Sequence, residues 1–125
     1  MNNVVQKTVR ELNELQYHIM HISMVEMFMP HPLTPRQKEV LAHFMCLEKR
    51  RDVMFLTKNR KTVLKLLGNK SQAYLSNLLG ELEEKKYLVK ENGTYIINPV
   101  LVPHHSGKQV YQFKFEAKEH VGWDI

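Results

Sequence analysis

The sequence has few of the residues that build cross-linked, membrane-bound or secreted proteins. Its 125 residues include a single cysteine, Cys46, so an internal disulfide is excluded and a reducing compartment is indicated. No apolar run approaches the ~20 residues of a membrane span, and no secretory signal pattern opens the chain. We therefore expect a soluble, intracellular protein.

Motifs for metal binding and catalysis are also scarce. His18 and His21 are three residues apart and His104 and His105 are adjacent, but no cysteine pair or His-Glu-x-x-His motif accompanies them. The five glycines are scattered, which excludes a phosphate-cradling loop. Cys46 lies in an apolar helical pattern, where a buried thiol is expected. We predict no metal, no cofactor and no enzymatic activity.

Positive charge is the strongest compositional feature, and it is unevenly distributed. The net charge is +5 and the isoelectric point is about 9.4. From Arg36 to Lys70 there are ten Lys/Arg and three acidic residues, a balance of +7, so the remainder carries 5 − 7 = −2. This concentration favours a polyanionic partner. The alternative is an ordinary solvated basic surface.

Two helices joined by a short corner are predicted from Thr57 onward. Thr57 can cap the first helix, Lys58 to Leu67, whose apolar residues recur at helical spacing; they are Val63, Leu64 and Leu67. Gly68 can take the positive φ that ends this helix, and Ser71 can cap the next one. The corner is as short as a helix-turn-helix requires.

The second of these helices, about Gln72 to Lys86, has one apolar and one uncharged polar face. Apolar residues recur at spacings of three and four: Leu75, Leu78, Leu79 and Leu82. The other face carries Gln72, Ala73, Ser76, Asn77 and Gly80. A solvated helix face usually carries Glu/Lys pairs. Small polar side chains instead suit a helix that enters a groove and hydrogen-bonds to base edges.

A β-hairpin is predicted after these helices. The β-rich runs Tyr87–Glu91 and Thr94–Asn98 flank Asn92-Gly93, which is the strongest short-range hairpin signal. Helix, corner, helix and hairpin in this order make a winged helix. We predict a mainly α fold with a small β-sheet (α+β), a winged helix-turn-helix with an added N-terminal helix.

Residues 1–32 are predicted to form an N-terminal helical extension. Apolar residues recur at intervals of three and four from Val5 to Met29, which favours one long helix, although Tyr17 to Ser23 could alternatively form a strand. The methionines in this segment suit either a core or a dimer contact; they are Met20, Met24, Met27 and Met29. We expect a homodimer, with residues 5–29 as a candidate interface. Pro30-His31-Pro32 breaks the pattern.

The winged domain is predicted to occupy residues 33–103. Thr34, Pro35 and Gln37 form a helix start with a capping box. The helix that follows, to about Lys49, is expected to bury four apolar residues: Val40, Leu41, Phe44 and Leu47. The apolar run Val53–Leu56 is predicted to be a small strand that pairs with the hairpin.

Residues 104–125 are predicted to form a C-terminal strand and tail. From Lys108 to Ala117 the sequence alternates, with Tyr111, Phe113 and Phe115 on one side. A period of two indicates a strand with one buried face.

The run from Phe55 to Pro99 resembles the winged helix-turn-helix family. Its pattern LT…RK…L…LG…S…YLSNLL…LE.K.YL…NGTYIINP is similar to phage and plasmid replication initiators, in which a wing ending in Y-x-I-N-P is common. A looser similarity to MarR-type regulators covers the same run plus Leu33 to Cys46. The resemblance implies binding of duplex DNA, with the helix that follows Ser71 in the major groove. It also implies a protein of the cytoplasm of a bacterial or phage-infected cell, or one associated with the nucleoid.

These patterns lead to a specific hypothesis of double-stranded DNA binding, as a transcription regulator or as a replication or recombination accessory protein. The residues expected to contact bases are Gln72, Ala73, Ser76 and Asn77. Those expected to contact phosphates are Lys58, Arg60, Lys61, Lys65, Lys70, Ser71 and Tyr74. The expected wing contacts are Lys90, Asn92, Gly93 and Thr94. The alternative is a protein-interaction or assembly module built on the same domain, with a protein partner.

Overall fold

The computed structural model describes residues 12–123, which form a mainly helical α+β structure. Its α-helices in this range are α1 (Glu14–Val25), α2 (Pro35–Leu47), α3 (Thr57–Leu66) and α4 (Gln72–Glu84). An antiparallel pair of strands, β1 (Leu88–Glu91) and β2 (Thr94–Ile97), follows α4. Short 3₁₀ helices span Glu26–Phe28 and Pro99–Leu101. None of the helices in the described range is long and apolar enough to cross a membrane.

One hydrophobic core joins the four α-helices and the 3₁₀ helix Pro99–Leu101 to the hairpin. Its largest fully buried side chains include Tyr87, Phe44, Phe55, Leu41, Leu75, Leu79, Leu82, Leu88, Ile97 and Leu101. The rings of Phe44 and Phe55 are 4.7 Å apart between centroids. Burying one such side chain contributes roughly 1.5–3 kcal/mol, which is why the apolar spacing decides the packing. The prediction that Leu47 is buried is wrong, because this last residue of α2 is 39% exposed.

Helix α1 begins later than the sequence pattern indicates. Asn13 has extended backbone angles (φ −70°, ψ 169°) and forms a capping box with Gln16, so the helix does not continue through it. Residues 5–11 of the predicted helix lie outside the described range. The segment Tyr17–Ser23 is helical, so the strand alternative is wrong. Ile22 and Val25 of this helix are buried in the common core.

The predicted strand Val53–Leu56 is a series of turns. The amide of Val53 donates to Arg50 O and that of Leu56 donates to Val53 O, each at 3.3 Å. The Arg51 guanidinium donates to Ile97 O, with Nη2 at 2.8 Å. This bond occupies a carbonyl of β2 that a third strand would need. The described part of the chain therefore has a two-stranded sheet.

Backbone capping fixes the corner between α3 and α4. The amide of Asn69 donates to Leu64 O at 2.9 Å and that of Gly68 donates to Lys65 O at 3.1 Å, which is a Schellman motif with Gly68 at φ +91°. Ser71 caps α4 as predicted, accepting a hydrogen bond from the amide of Tyr74. Thr57 is not the cap of α3, because that position belongs to Leu56 and has no side-chain bond.

The hairpin follows the predicted Asn92-Gly93 turn. Both turn residues have positive φ, 51° and 76°, as a type I′ turn requires. The register pairs Leu88 with Ile97, and these two residues face the core. The strands begin and end within one residue of the predicted positions.

The C-terminal segment forms side-chain contacts instead of the predicted strand over Lys108–Ala117. His21 of α1 contacts the Tyr111 hydroxyl through Nδ1 and Leu101 O through Nε2, the latter at 3.0 Å. Burial lowers the pKa of His21 and raises the pKa of Tyr111 to about 12. Phe115 is 95% exposed, so the alternating aromatic residues do not share a buried face.

Candidate nucleic-acid interface

The N-terminal half of α4 presents the uncharged face to solvent. The residues predicted to contact bases are all exposed: Gln72, Ala73, Ser76 and Asn77. The opposite face is buried, with Leu75 at 1% and Leu79 at 0% exposure. The helix therefore has hydrogen-bonding amide and hydroxyl groups free of the protein core, on a rigid element. Gly80, on the same side, is half-buried.

A lysine face lies on α3. Lys58, Lys61 and Lys65 are exposed and are three and four residues apart, so they share one side of the helix. From Thr57 to Gly80 the chain has five Lys/Arg and no acidic residue. None of the salt bridges among residues 12–123 involves these three lysines, Lys70 or Lys90. Their charges are therefore available to an external anion.

Arg60 connects α3 to the hairpin and is half-buried, unlike these lysines. Its Nε donates to Phe55 O at 2.7 Å, and its guanidinium carbon lies 5.8 Å from the Tyr95 ring centroid. Lys90 Nζ lies 5.2 Å from the same centroid, across the strand pair. The cation–π contact of Arg60 joins α3 to the hairpin, whereas that of Lys90 lies within the hairpin. The predicted phosphate contact Arg60 thus also has a structural role.

A second tyrosine, Tyr74, lies among cations at the N-terminal end of α4. Lys70 Nζ is 5.7 Å and the Arg36 guanidinium carbon is 5.9 Å from its ring centroid. Ser71, which precedes α4, uses its hydroxyl to cap the helix. The positive end of the helix dipole and two cationic side chains therefore meet at the end of α4 that carries the polar face.

The hairpin tip exposes the predicted wing residues. Lys90, Asn92 and Gly93 are exposed, and Thr94 is half-buried. The exposed side chains of Lys90 and Asn92 are suited to contact a phosphate or a minor-groove edge. Glu91 is also exposed at the tip, and it reduces the local positive charge.

The acidic residues of α4 lie at its other end. Glu81 is nine residues after Gln72, about 13 Å along the helix axis at ~1.5 Å per residue. Its Oε2 accepts a hydrogen bond from buried Gln37 at 2.9 Å, and Gln37 Oε1 accepts from Lys85 Nζ at 2.8 Å. Gln37 also completes the capping box of α2 with Thr34. This network fixes α4 against α2 and engages the Glu81 carboxylate, which lies one helical turn after Asn77.

Two residues of this surface were missed by sequence reasoning. Tyr95 lies opposite Lys90 in the hairpin register, so the two-residue turn already determined that contact. Arg36 comes from the start of α2, and only the packing of α2 against α4 brings it to Tyr74. No local signal could have identified it.

Comparisons with protein-family models, curated proteins and solved structures give no match to this chain. The assignment of function therefore depends on the surface itself.

Proposed function

We propose that the protein is a winged helix-turn-helix that binds double-stranded DNA, with α4 in the major groove and the hairpin as the wing. The observation that carries the proposal is the exposed uncharged face of α4, next to lysines of α3 and the corner that have no salt bridge within residues 12–123. Amide side chains such as Asn77 and Gln72 suit adenine, and the lysines suit phosphates. Such a DNA-binding protein would act either in the regulation of transcription or in replication or recombination.

An enzymatic role has less support. The chain's cysteine, Cys46, is half-buried, and desolvation raises its pKa. A nucleophilic cysteine requires a lowered pKa.

Selection of bound duplexes from a random pool tests the proposal, followed by fluorescence anisotropy with the selected duplex and a scrambled control. We expect salt-sensitive binding to both and tighter binding to the selected sequence. Asn77→Ala should lose ~1–3 kcal/mol on the selected duplex and little on the scrambled one. Lys108→Ala, remote in sequence from α4, is the control. Absence of salt-sensitive binding to any duplex would overturn the proposal.

A protein-interaction module is the second candidate, and exposed apolar side chains favour it. Phe28 stacks on Phe113 with 5.2 Å between ring centroids, and both rings remain partly exposed. Met27 beside them is 66% exposed. Light scattering over a concentration series tests self-association through this patch, which includes Met27 and Phe28 of the proposed dimer segment, residues 5–29. Phe28→Ser should shift a dimer to monomer, whereas Val100→Ser, at another exposed apolar site, should not.

A further inference from the structure

Three metal-ligating side chains converge where α1 packs on α2. Glu14 and His18 are one turn apart on α1, and Cys46 comes from α2. One donor atom from each lies within 4.8 Å of the other two. In a tetrahedral zinc site, bond lengths of ~2.0–2.3 Å separate the donor atoms by about 3.5 Å. Side-chain adjustments of about 1 Å would therefore bring the three donors to one ion.

His18 has a polar atom that the protein leaves without a partner. The residue is 3% exposed, and its Nδ1 makes no hydrogen bond within residues 12–123. Its Nε2 has a 3.8 Å contact with Glu14 Oε1 and a 3.4 Å contact with Lys49 Nζ. Nε2 is therefore the ring nitrogen that faces the Glu14 carboxylate, and Nδ1 is a buried polar atom without a partner, which is uncommon in folded proteins.

The Lys49 ammonium places a positive charge beside Glu14 and His18. Its Nζ bonds to Glu14 Oε1 and donates to Met45 O at 2.9 Å. The Lys49 side chain is 63% exposed, so the ammonium can move into water without leaving a buried charge. The cluster therefore holds a cation that a metal ion could replace.

We propose that Glu14, His18 and Cys46 bind a borderline divalent transition ion of the Zn²⁺ class, in competition with Lys49. Thiolate and imidazole ligands select such ions over Mg²⁺ and Ca²⁺, which prefer oxygen. On binding, the metal–sulfur bond forms as the Cys46 thiol releases its proton to solvent. Lys49 moves out as an ammonium and keeps its own proton. Glu14 and His18 line a cleft open to solvent, from which water would supply the fourth ligand.

Co²⁺ titration of the full chain, after removal of metals with a chelator, tests this site. Co²⁺ is the probe because a thiolate ligand gives it a charge-transfer absorption that Zn²⁺ lacks. We expect one equivalent to bind, with this band, and Zn²⁺ to displace it. Cys46→Ser should abolish the band. Glu14→Gln should raise the Kd for Co²⁺ more than ~10-fold, because replacing even a residue that only hydrogen-bonds to a metal ligand weakens metal binding at least ~10-fold. Glu14 is exposed, so its replacement leaves the core intact.

Lys49→Ala gives a second readout that a structural role would not produce. Removing the competing ammonium should lower the Kd for Co²⁺ about two- to fivefold. This factor corresponds to ~0.4–1 kcal/mol, the free energy of the exposed Lys49–Glu14 ion pair that the metal no longer has to break. Unchanged or weaker binding in this variant would overturn the displacement of Lys49.

A second glutamate–histidine pair, on α2, serves as the control for this site. Glu39 and His43 on α2 form a pair with the same spacing and a 3.7 Å contact. Glu39→Gln/His43→Ala should leave Co²⁺ binding unchanged. A charge-transfer band that survives Cys46→Ser would overturn the proposal. So would binding that requires His104 and His105, which line the same cleft.

Discussion

Replacing two lysines of α3 gives a quantitative test of where DNA phosphates bind. If Lys58, Lys61, Lys65, Lys70 and Lys90 each neutralise one phosphate, log K should fall with log salt with a slope of about −0.9 × 5, roughly −4.5. Between 50 and 200 mM salt, binding should then weaken about 500-fold. Lys61→Ala/Lys65→Ala should reduce the slope to about −2.7 and the loss to about 40-fold, on any duplex.

Fluorescence anisotropy of a labelled duplex across a salt series measures these slopes. Both replaced residues are exposed and in a helix, where alanine is well tolerated, so the fold should be kept. Lys108→Ala/Lys118→Ala removes the same charge from the C-terminal segment and serves as the control. A Lys61→Ala/Lys65→Ala slope equal to that of the wild type, or an equal reduction in the control, would refute phosphate binding by α3.

Three further predictions concern stability, each measured by urea denaturation. Gln37→Ala should lower the free energy of unfolding by about 2–3 kcal/mol, at ~1 kcal/mol per lost hydrogen bond, because the buried amide joins α2 to Glu81; a loss under ~1 kcal/mol would contradict this. His21 has a lowered pKa, so the unfolded chain takes up its proton first as pH falls through ~6.5. Stability should therefore fall from pH 7.5 to 5 in chelator, and less steeply in His21→Gln; equal slopes would contradict the burial of a neutral imidazole. Lys86 has φ +74°, a left-handed conformation that is strained for lysine and free of strain for glycine. Lys86→Gly should therefore raise the free energy of unfolding by about 0.5–1 kcal/mol, which is the relieved strain minus the extra chain entropy that glycine loses on folding. A lower free energy of unfolding in this variant would argue against the strain.

The parts of the fold predictable from sequence are those decided by neighbours along the chain. Thr34 and Gln37 form the predicted capping box, and Asn92-Gly93 forms the predicted turn. The leucine spacing of α4 determined which face is buried. In each case the deciding feature lies within a single helix end, helix or hairpin.

The errors arose where a distant group decides the local structure. Val53–Leu56 has the composition of a strand, but the Arg51 guanidinium occupies the β2 carbonyl that it would need. Lys108–Ala117 alternates as a strand would, yet its contacts are side chains of α1 and the following 3₁₀ turn. In both cases the deciding contact joins segments far apart in sequence: Arg51 to Ile97, 46 residues later, and Tyr111 to His21, 90 residues earlier.

The same limit applies to the candidate sites. The exposed residues of α4 could be named in advance, because they lie opposite its leucines. The group formed by Glu14, His18 and Cys46 could not, since Cys46 is 28 residues after His18 and reaches it only because α1 packs on α2.

The most direct test of the proposed DNA interface is an NMR titration of the ¹⁵N-labelled chain with a selected duplex. We predict that the largest amide shift changes lie in Gln72–Asn77 and at the hairpin tip, Lys90–Thr94. Changes concentrated in α1, with the N-terminal half of α4 unaffected, would contradict it.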